Sequence, residues 1–400
     1  MKILFIDDEP AILRTIRRTL RNLPACHQLD LEPDPLAAIA RLSETSYDLV
    51  VSDMRMPGRS GCQVLEQAAL HNPGGVRAVL SGYSGEEETA SVAQHAHLFI
   101  GKPFDPKAIT DLIARAEALG AMPLSDALRR RLGGLKALPP IPKLFVALTK
   151  ALAEEQRVTS LDDIAAILGQ DVALSAKILQ LANSAFFGGV TRAVRVEQAV
   201  KLLGTRLVSG LVLQHEIFVK SPVPPALEAW RERLNQKSLA TAELAARIAR
   251  QRGMSALERD ESSLAGLLHD VGRLVLIGES NSLDPSDELF AMEPGRDLCR
   301  HEESLFGAHH GWVGAYLLRL WGFSPAVVDA LAWHHEPSRS GIAGISPLTL
   351  VHAADAIVNT GRDGEADLDR EYLSGLGCLD EYESWAALAG STTPDSLTRH

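Results

Sequence analysis

Four hundred residues exceed what one hydrophobic core organises, so two or three domains are expected. The hydrophobic content of 46% excludes wholesale disorder, and a formal net charge of −11 argues against a chain that grips nucleic acid through a broad basic face. The four cysteines (Cys26, Cys62, Cys299 and Cys378) form no CxxC pair and no framework, which suits a reducing cytosol. The opening MKILFIDDEP is a short apolar run that stops at acids, not a signal peptide, and no apolar stretch approaches the ~18 residues that span a membrane. A cytoplasmic protein without membrane insertion is expected, and outside signals must reach it through a partner.

Over residues 1–120 the elements alternate in type. Lys2–Ile6 reads as a strand, Ala11–Leu23 as a helix, Leu49–Ser52 as a strand and Val64–His71 as a helix. Strands follow at Ala78–Leu80 and His97–Ile100, and Ala108–Leu119 closes as a helix. The strand runs are apolar throughout, as in a parallel sheet covered on both faces. Residues 121–135, with the basic run Arg129-Arg130-Arg131, read as a linker with a solvated face, and Pro139, Pro140 and Pro142 mark a boundary. Beyond it the spacing is helical: Leu161–Leu168, Ala173–Asn183, Val196–Leu203, Ser238–Arg252, Gly266–Ile277, Val313–Trp321 and Ala326–His334. The pair Leu161–Asn183 superficially reads as helix–turn–helix, but its second helix is mostly apolar and is better read as core, so nucleic acid is not an expected partner. An all-helical domain over 136–388, with a frayed tail at 389–400, completes the expected organisation.

Acidic residues sit where the strands end. Asp7 and Asp8 follow the first strand, Asp53 follows VVS, Ser81 ends AVL, and Lys102 ends FIG. Ligands of open parallel sheets bind at the carboxyl ends of strands. Three carboxylates converging there need a cation, and oxygen ligands select a hard ion such as Mg²⁺. Asp53 then serves as nucleophile, Lys102 neutralises phosphoryl charge and Ser81 donates a hydrogen bond. Taken singly, Asp7-Asp8 reads equally well as a helix N-cap, Lys102-Pro103 as a turn and Asp53 as a loop acid. Their joint occurrence in this order is harder to explain that way.

The order DD, DMRMPG, SGY, KPF resembles the receiver domain of bacterial two-component response regulators over residues 1–120. That resemblance implies a doubly wound, flavodoxin-like α/β domain with a five-stranded parallel sheet. It implies Mg²⁺ held by Asp8, Asp53 and the Arg55 carbonyl, with Asp7 assisting through water. It further implies phosphorylation of Asp53 by a sensor histidine kinase or phosphotransfer protein, with Ser81 and Phe99 as the switch pair and a homodimer as one outcome. Gly101, before the lysine, departs from the usual larger residue and should loosen that turn.

Seven of the 13 histidines fall between 269 and 352: His269, His301, His309, His310, His334, His335 and His352. His-Asp clusters on helices suggest a metal site. The segments LLHDVGR, HGWVGAYLL, AWHHEP and VHAADAIV, with LPPIPKL and the long helical stretch after it, resemble the HDOD (HD-related output) branch of the HD phosphohydrolase superfamily, with an HD-like core at about 230–360. The resemblance implies a metal site of His269, Asp270, His310, His334, His335 and Asp355, taking Fe, Mn or Zn. It also implies a first metal histidine on the helix after Trp230, where this chain has Lys237, a poor ligand. Arg273 stands where the HD-GYP branch carries Lys, and the GYP segment is absent. Three readings therefore stay open: a non-catalytic module with a relict site that signals to an unknown protein target, a metal-dependent phosphohydrolase acting on a nucleotide or cyclic dinucleotide, and a nucleotide or metal sensor without turnover. The histidines also have a plain alternative, as helix C-terminal cations or core hydrogen-bonding partners.

Overall fold

The structure, a computed structural model, describes residues 1–21, 24, 26–81, 95–134, 168, 178, 196–204, 207–208, 210–212, 225–278, 286–292, 294–320, 322–359 and 367–390. Its packing defines two units, one of Met1–Lys143 and Tyr316–Phe323 and the other of Leu144–Ala315 and Ser324–His400. The expected helices Leu161–Leu168 and Ala173–Asn183 lie outside the described residues, apart from Leu168 and Ile178, which are helical and buried. Among the described residues no helix is long and apolar enough to cross a membrane.

The first unit holds strands β1 (Lys2–Ile6), β2 (Gln28–Glu32), β3 (Leu49–Asp53), β4 (Val76–Ser81) and β5 (Leu98–Gly101). Its helices are α1 (Pro10–Thr19), α2 (Pro35–Glu44), α3 (Gly61–His71), α4 (Pro106–Gly120) and α5 (Asp126–Gly134). All strand pairs are parallel, in the order β2-β1-β3-β4-β5. Leu4, Ile6, Val50 and Val79 pack with α2 and α3 residues Ala38, Leu42, Val64, Leu65 and Ala68. Ile3 and Phe5 alternate to the opposite face and are equally buried. The strand that periodicity does not reveal is β2, QLDLE, whose residues are mostly half-exposed at the sheet edge. An edge strand needs no continuous apolar run.

Local chemistry sets the helix starts. Asp34 and Asp105 accept the Leu36 and Lys107 N–H groups, each one residue ahead of a proline at the first helical position. Ser60 and Gln63 form a reciprocal capping box on α3. One expectation needs correcting: Arg129 is not a solvated linker face. Its guanidinium bonds the Leu119, Gly120 and Leu124 carbonyls at 3.2, 2.8 and 3.1 Å, closing the C-terminal end of α4, while Leu128 and Leu132 of α5 are buried. A helix end leaves its last carbonyls without intrahelical donors, and a fork of N–H groups satisfies several at once.

Among the described residues the second unit has helices and no strand, and the helix that begins at His310, whose residues from Tyr316 on group with the first unit, is given with it. The helices are α6 (Val196–Leu203), α7 (Glu228–Gln251), α8 (Ala256–Leu268), α9 (Val271–Gly278), α10 (Arg296–Phe306), α11 (His310–Leu320), α12 (Pro325–Trp333), α13 (Pro347–Asn359), α14 (Arg370–Gly375) and α15 (Tyr382–Gly390). The long α7 packs on α8 and α13, and α12 packs on α8 and α13. Close backbone approaches demand glycine here, among them two: a Cβ on Gly266 would lie 2.8 Å from Ala242 Cα, and one on Gly272 would lie 2.0 Å from the His310 carbonyl oxygen. The helix expected over Gly266–Ile277 is two helices, parted at His269-Asp270.

Arg129→Ala is expected to destabilise the first unit by about 1–2 kcal/mol, the cost of leaving part-buried carbonyls without a charged donor. Hydrogen exchange of the full chain should show faster opening at the end of α4, and exchange unchanged there would show that the bonds add nothing.

Candidate functional site

The first candidate site lies at the carboxyl ends of β1 and β3, where the strand order reverses. Asp7 is fully buried, Asp53 nearly so, and Asp8 half-buried; their carboxylates each place an oxygen within 4.8 Å of the others. Lys102, just past β5, reaches Asp7 Oδ2 at 2.8 Å and Asp53 Oδ1 at 2.7 Å. Gly61, at the start of α3, donates its N–H to Met54 O at 3.0 Å, and a Cβ there would meet Asp53 O at 2.0 Å. That close approach holds the Asp53 backbone against α3. Burial raises the Asp7 pKa more than the bonds from Lys102 and Glu9 N–H lower it. For Lys102, burial lowers the pKa, but the bonds to Asp53 and Asp7 outweigh it and the net shift is upward. One ammonium thus faces three carboxylates, and this all-oxygen set fits a hard divalent cation. Ser81 ends β4 and pairs with Gly101, and Phe99 lies in β5 opposite Val79. The side chains of Ser81 and Phe99 lie outside the described residues. Arg55 is exposed two residues beyond Asp53, and a Cβ on Gly101 would meet nothing within 4 Å.

The second candidate site gathers all six residues of the expected metal set. His269, Asp270, His310, His334, His335 and Asp355 are at most 5% exposed, so the cluster is internal. Asp270, His310, His334 and His335 each offer a ligand atom within 4.8 Å of the others, as do His269, His334 and Asp355. The cluster is built from helix ends. His269 and His334 follow the last residues of α8 and α12, where carbonyls lack helical partners. Each ring uses one: His269 Nδ1–H donates to Gly266 O and His334 Nδ1–H to Leu331 O, both at 2.8 Å. A carbonyl only accepts, so these contacts place the proton on Nδ1 and turn Nε2 inward. His310 begins α11, and its Nδ1 lies 2.6 Å from Glu302 Oε2.

Electron-pair donors therefore converge. His310 Nε2 lies 3.3 Å from His334 Nε2, 3.2 Å from His335 Nε2 and 3.2 Å from Asp270 Oδ1. His269 Nε2 lies 3.1 Å from Asp355 Oδ1, and neither Asp270 oxygen takes a hydrogen bond. Nitrogen and carboxylate donors with orphaned buried oxygens fit a borderline transition-metal ion such as Zn, Fe or Mn. Nδ1–H bonds to carbonyl or carboxylate are the usual outer support of metal-binding histidine. Burial lowers the His269 pKa, but Asp270 and Asp355 override it and raise it to about 9. Burial drives His334 down to about 3 and His335 well below its ordinary value. Asp270 and Asp355 stay below the usual carboxylate range: burial raises both, but neighbouring His269 pulls them down further.

Lys237 sits on α7, half-buried, one residue before the buried Ser238. Residue types and spacing did not single out Glu302, Arg273 as its neighbour, or the buttressing role of His352. Glu302 is 2% exposed, and the i, i+4 pair Leu298–Glu302 on the buried face of α10 is the signal that could have exposed it. Burial raises its pKa, and His310 and Arg273 bring it to a net lowering. Arg273 lies over the Trp230 ring at 5.3 Å, with Nε 3.8 Å from Glu302 and Nη1 3.9 Å from Asp270. His352 donates from Nδ1 to His334 O at 2.6 Å and accepts the Asp369 N–H on Nε2 at 2.8 Å, so both its nitrogens are engaged in holding the frame. Beside the cluster, Cys299 and His309 are buried, but the thiol is pushed well up by burial and His309 Nδ1 accepts the Gly311 N–H. That pairing is a poor metal donor set.

The buried neutral rings carry a pH signature. His334 and His335 have folded pKa values below that of the unfolded chain, so their contribution is intact above about pH 6.5 and is lost as pH falls below it, for His334 toward about 3. Asp270 and Asp355 act in the same direction at lower pH, whereas His269 loses its contribution as pH rises from about 6.5 to about 9. Chelator-treated protein should show a lower urea midpoint at about pH 5 than at about pH 7. An equal or higher midpoint at the acid pH would contradict the buried neutral histidines.

A family model of the HDOD domain matches residues 138–337, and one of the response regulator receiver domain matches residues 3–114. An uncharacterized protein of Treponema pallidum is 28% identical over 201 residues, 50% of this chain and 38% of its own length. Response regulator protein FleR of Pseudomonas aeruginosa is 29% identical over 153 residues, 38% of this chain and 31% of its own length. The chain thus spans about a third of the length of these curated relatives. The crystal structure of an HDOD domain protein from Geobacter sulfurreducens is 22% identical, with 66% of this chain and 97% of that one covered and a TM-score of 0.46. With half of its 400 residues matched by the HDOD model, the chain belongs to the HDOD family, and it carries a response regulator receiver domain ahead of its HDOD domain.

Proposed function

We propose that this chain is a phosphorylation-dependent response regulator that accepts phosphate on Asp53 and signals through an HDOD domain without turnover. The observation that carries the first half is the ammonium of Lys102 bonded to both Asp7 and Asp53 beside Asp8. In the transfer, an Asp53 oxygen attacks the phosphorus of a histidine-borne phosphoryl group; the P–N bond breaks as the P–O bond forms. Asp8, Asp53 and the Arg55 carbonyl would hold Mg²⁺, with Asp7 assisting, and the ion when bound supplies neutralisation of phosphoryl charge. Lys102 lies within reach of the same oxygens and stabilises the charge that develops on them. Aspartyl phosphate adds charge and acceptors beside Lys102, and Ser81 and Phe99 relay the change to the receiver surface, biasing a two-state element. The phosphodonor is a histidine kinase or phosphotransfer protein, and the output meets a protein target.

Two features favour an output domain without turnover: Lys237 in place of the first metal histidine, and a cluster whose members are all buried. The convergence of His310, His334 and His335 Nε2 with Asp270 favours a second reading of the same cluster, one that retains a metal ion. His269, Asp270, His310, His334, His335 and Asp355 would hold it, and a bound ion supplies either structural cross-linking or an activated water for phosphoester hydrolysis.

With Mg²⁺ and acetyl phosphate, wild-type protein should gain a phosphoryl adduct by intact mass, and Asp53→Asn should gain none. Lys102→Ala should keep its fold and label on the order of 10²-fold more slowly, the scale of losing one preorganised electrostatic donor. Equal labelling of Asp53→Asn would sink the phospho-acceptor assignment. For the output domain, elemental mass spectrometry of the purified chain should be set against His269→Ala/Asp270→Ala. Stoichiometric Fe, Mn or Zn that disappears in the variant supports the metal-holding cluster and licenses hydrolysis assays on cyclic dinucleotides. Metal-free wild type after reconstitution supports a relict cluster.

A further inference from the structure

Of the three histidines whose Nδ1 contacts orient Nε2 toward the cluster, two are served by their own helices. His269 and His334 lie at C-terminal ends, where unpaired carbonyls three residues back accept Nδ1–H. His310 is the first residue of α11, and a helix N-terminus offers only N–H donors. Nothing in that helix end can hold a proton on the His310 ring. The acceptor comes instead from α10: one oxygen of Glu302, Oε2, takes both the His310 backbone N–H at 2.8 Å and Nδ1 at 2.6 Å. A single oxygen that grips backbone and ring of the same residue fixes the ring's rotation as well as its tautomer. The other oxygen, Oε1, faces Arg273 Nε at 3.8 Å, and Arg273 is itself held over the Trp230 face. Because Oε2 already accepts the His310 backbone N–H, it meets the ring nitrogen as an acceptor as well.

We propose that Glu302 is a positioning residue of the histidine cluster: it keeps the His310 proton on Nδ1 and so presents the Nε2 electron pair to Asp270, His334 and His335. Unlike the neutral carbonyls behind His269 and His334, it brings negative charge to its ring, which makes His310 the most strongly donating of the three. Arg273 lends a positive charge 3.8 Å from the oxygen that His310 does not use. The consequence for metal affinity rests on the metal-holding reading of the cluster; the tautomer assignment does not.

The two parts are tested separately. In full-length protein with ¹⁵N-labelled histidine, kept in chelator, the wild-type His310 ring should show protonated Nδ1 and unprotonated Nε2, assigned by loss of its signals in His310→Gln. Glu302→Ala should admit the Nε2–H tautomer, and Glu302→Gln, which keeps an oxygen for the backbone N–H and thus the fold, should weaken the Nδ1–H preference. A wild-type ring protonated on Nε2, or a tautomer unmoved in both variants, overturns the proposal. For the metal part, Mn²⁺ titrated into chelator-treated protein should bind Glu302→Gln about 10–100-fold more weakly than wild type, the usual effect of losing outer support. Equal Mn²⁺ affinity in the two, or a loss matched by a parallel fall in melting temperature, reduces Glu302 to a helix cap and overturns its role toward metal. Wild type that takes up no Mn²⁺ removes the metal reading itself, and the ring tautomer then decides the proposal alone.

Discussion

Buried groups of one charge sign stay together only where a positive charge sits among them, and both sites of this chain depend on that constraint. Three carboxylates meet at the end of the parallel sheet around one lysine ammonium. In the helical unit, carboxylates and inward-turned imidazole nitrogens meet around His269, which alone among the shifted ring histidines there is driven toward the charged form. At a few ångströms in a poorly screened interior, such contacts are worth several kcal/mol either way. The ammonium of Lys102 therefore occupies the electrostatic position that a bound cation takes, and Asp270 and Asp355 pull the His269 ring toward the same sign of charge.

The backbone builds these concentrations of charge by the same device, the element end. Parallel strands deliver Asp7, Asp8, Asp53 and Lys102 to one edge because all their carboxyl ends point the same way. Helices deliver His269, His310 and His334 at termini, where orphan carbonyls hold the first and last rings and Glu302, bonded to the His310 N–H, holds the other. Two of the glycines that let backbones touch, Gly61 behind Asp53 and Gly272 behind His310, sit directly at these junctions. A Cβ at either would push apart the very segments that carry the donors.

The two sites differ in how they meet solvent, and that difference bears on their chemistry. Asp8 is half-buried and Arg55 exposed, so among the described residues the sheet site has a side that meets solvent. The histidine cluster is closed over, with His352, Glu302 and Arg273 around it as a supporting layer that is itself buried. Such a layer costs desolvation and is retained where geometry matters.

Much of this was legible in the chain itself. The apolar strand runs with acids at their ends, the lysine after FIG, and the six His and Asp residues of the helical unit are all marked by residue type and spacing. The order of Asp7, Asp53, Ser81 and Lys102 along the chain determined which chemistry the sheet could support, because strand ends of a parallel sheet share one edge. Tertiary structure alone decided the rest. β2 is polar because an edge strand is stabilised by its ladder, not by a continuous apolar run. Arg129 is read as solvated until the unfilled carbonyls of α4 come within its reach. Glu302 stands beside an identical neighbour, Glu303, and only the packing of α10 against the start of α11 buries the first and leaves the second exposed. Residue type states what a side chain can donate or accept; which partner it meets depends on contacts between segments far apart in sequence, and no local pattern encodes those.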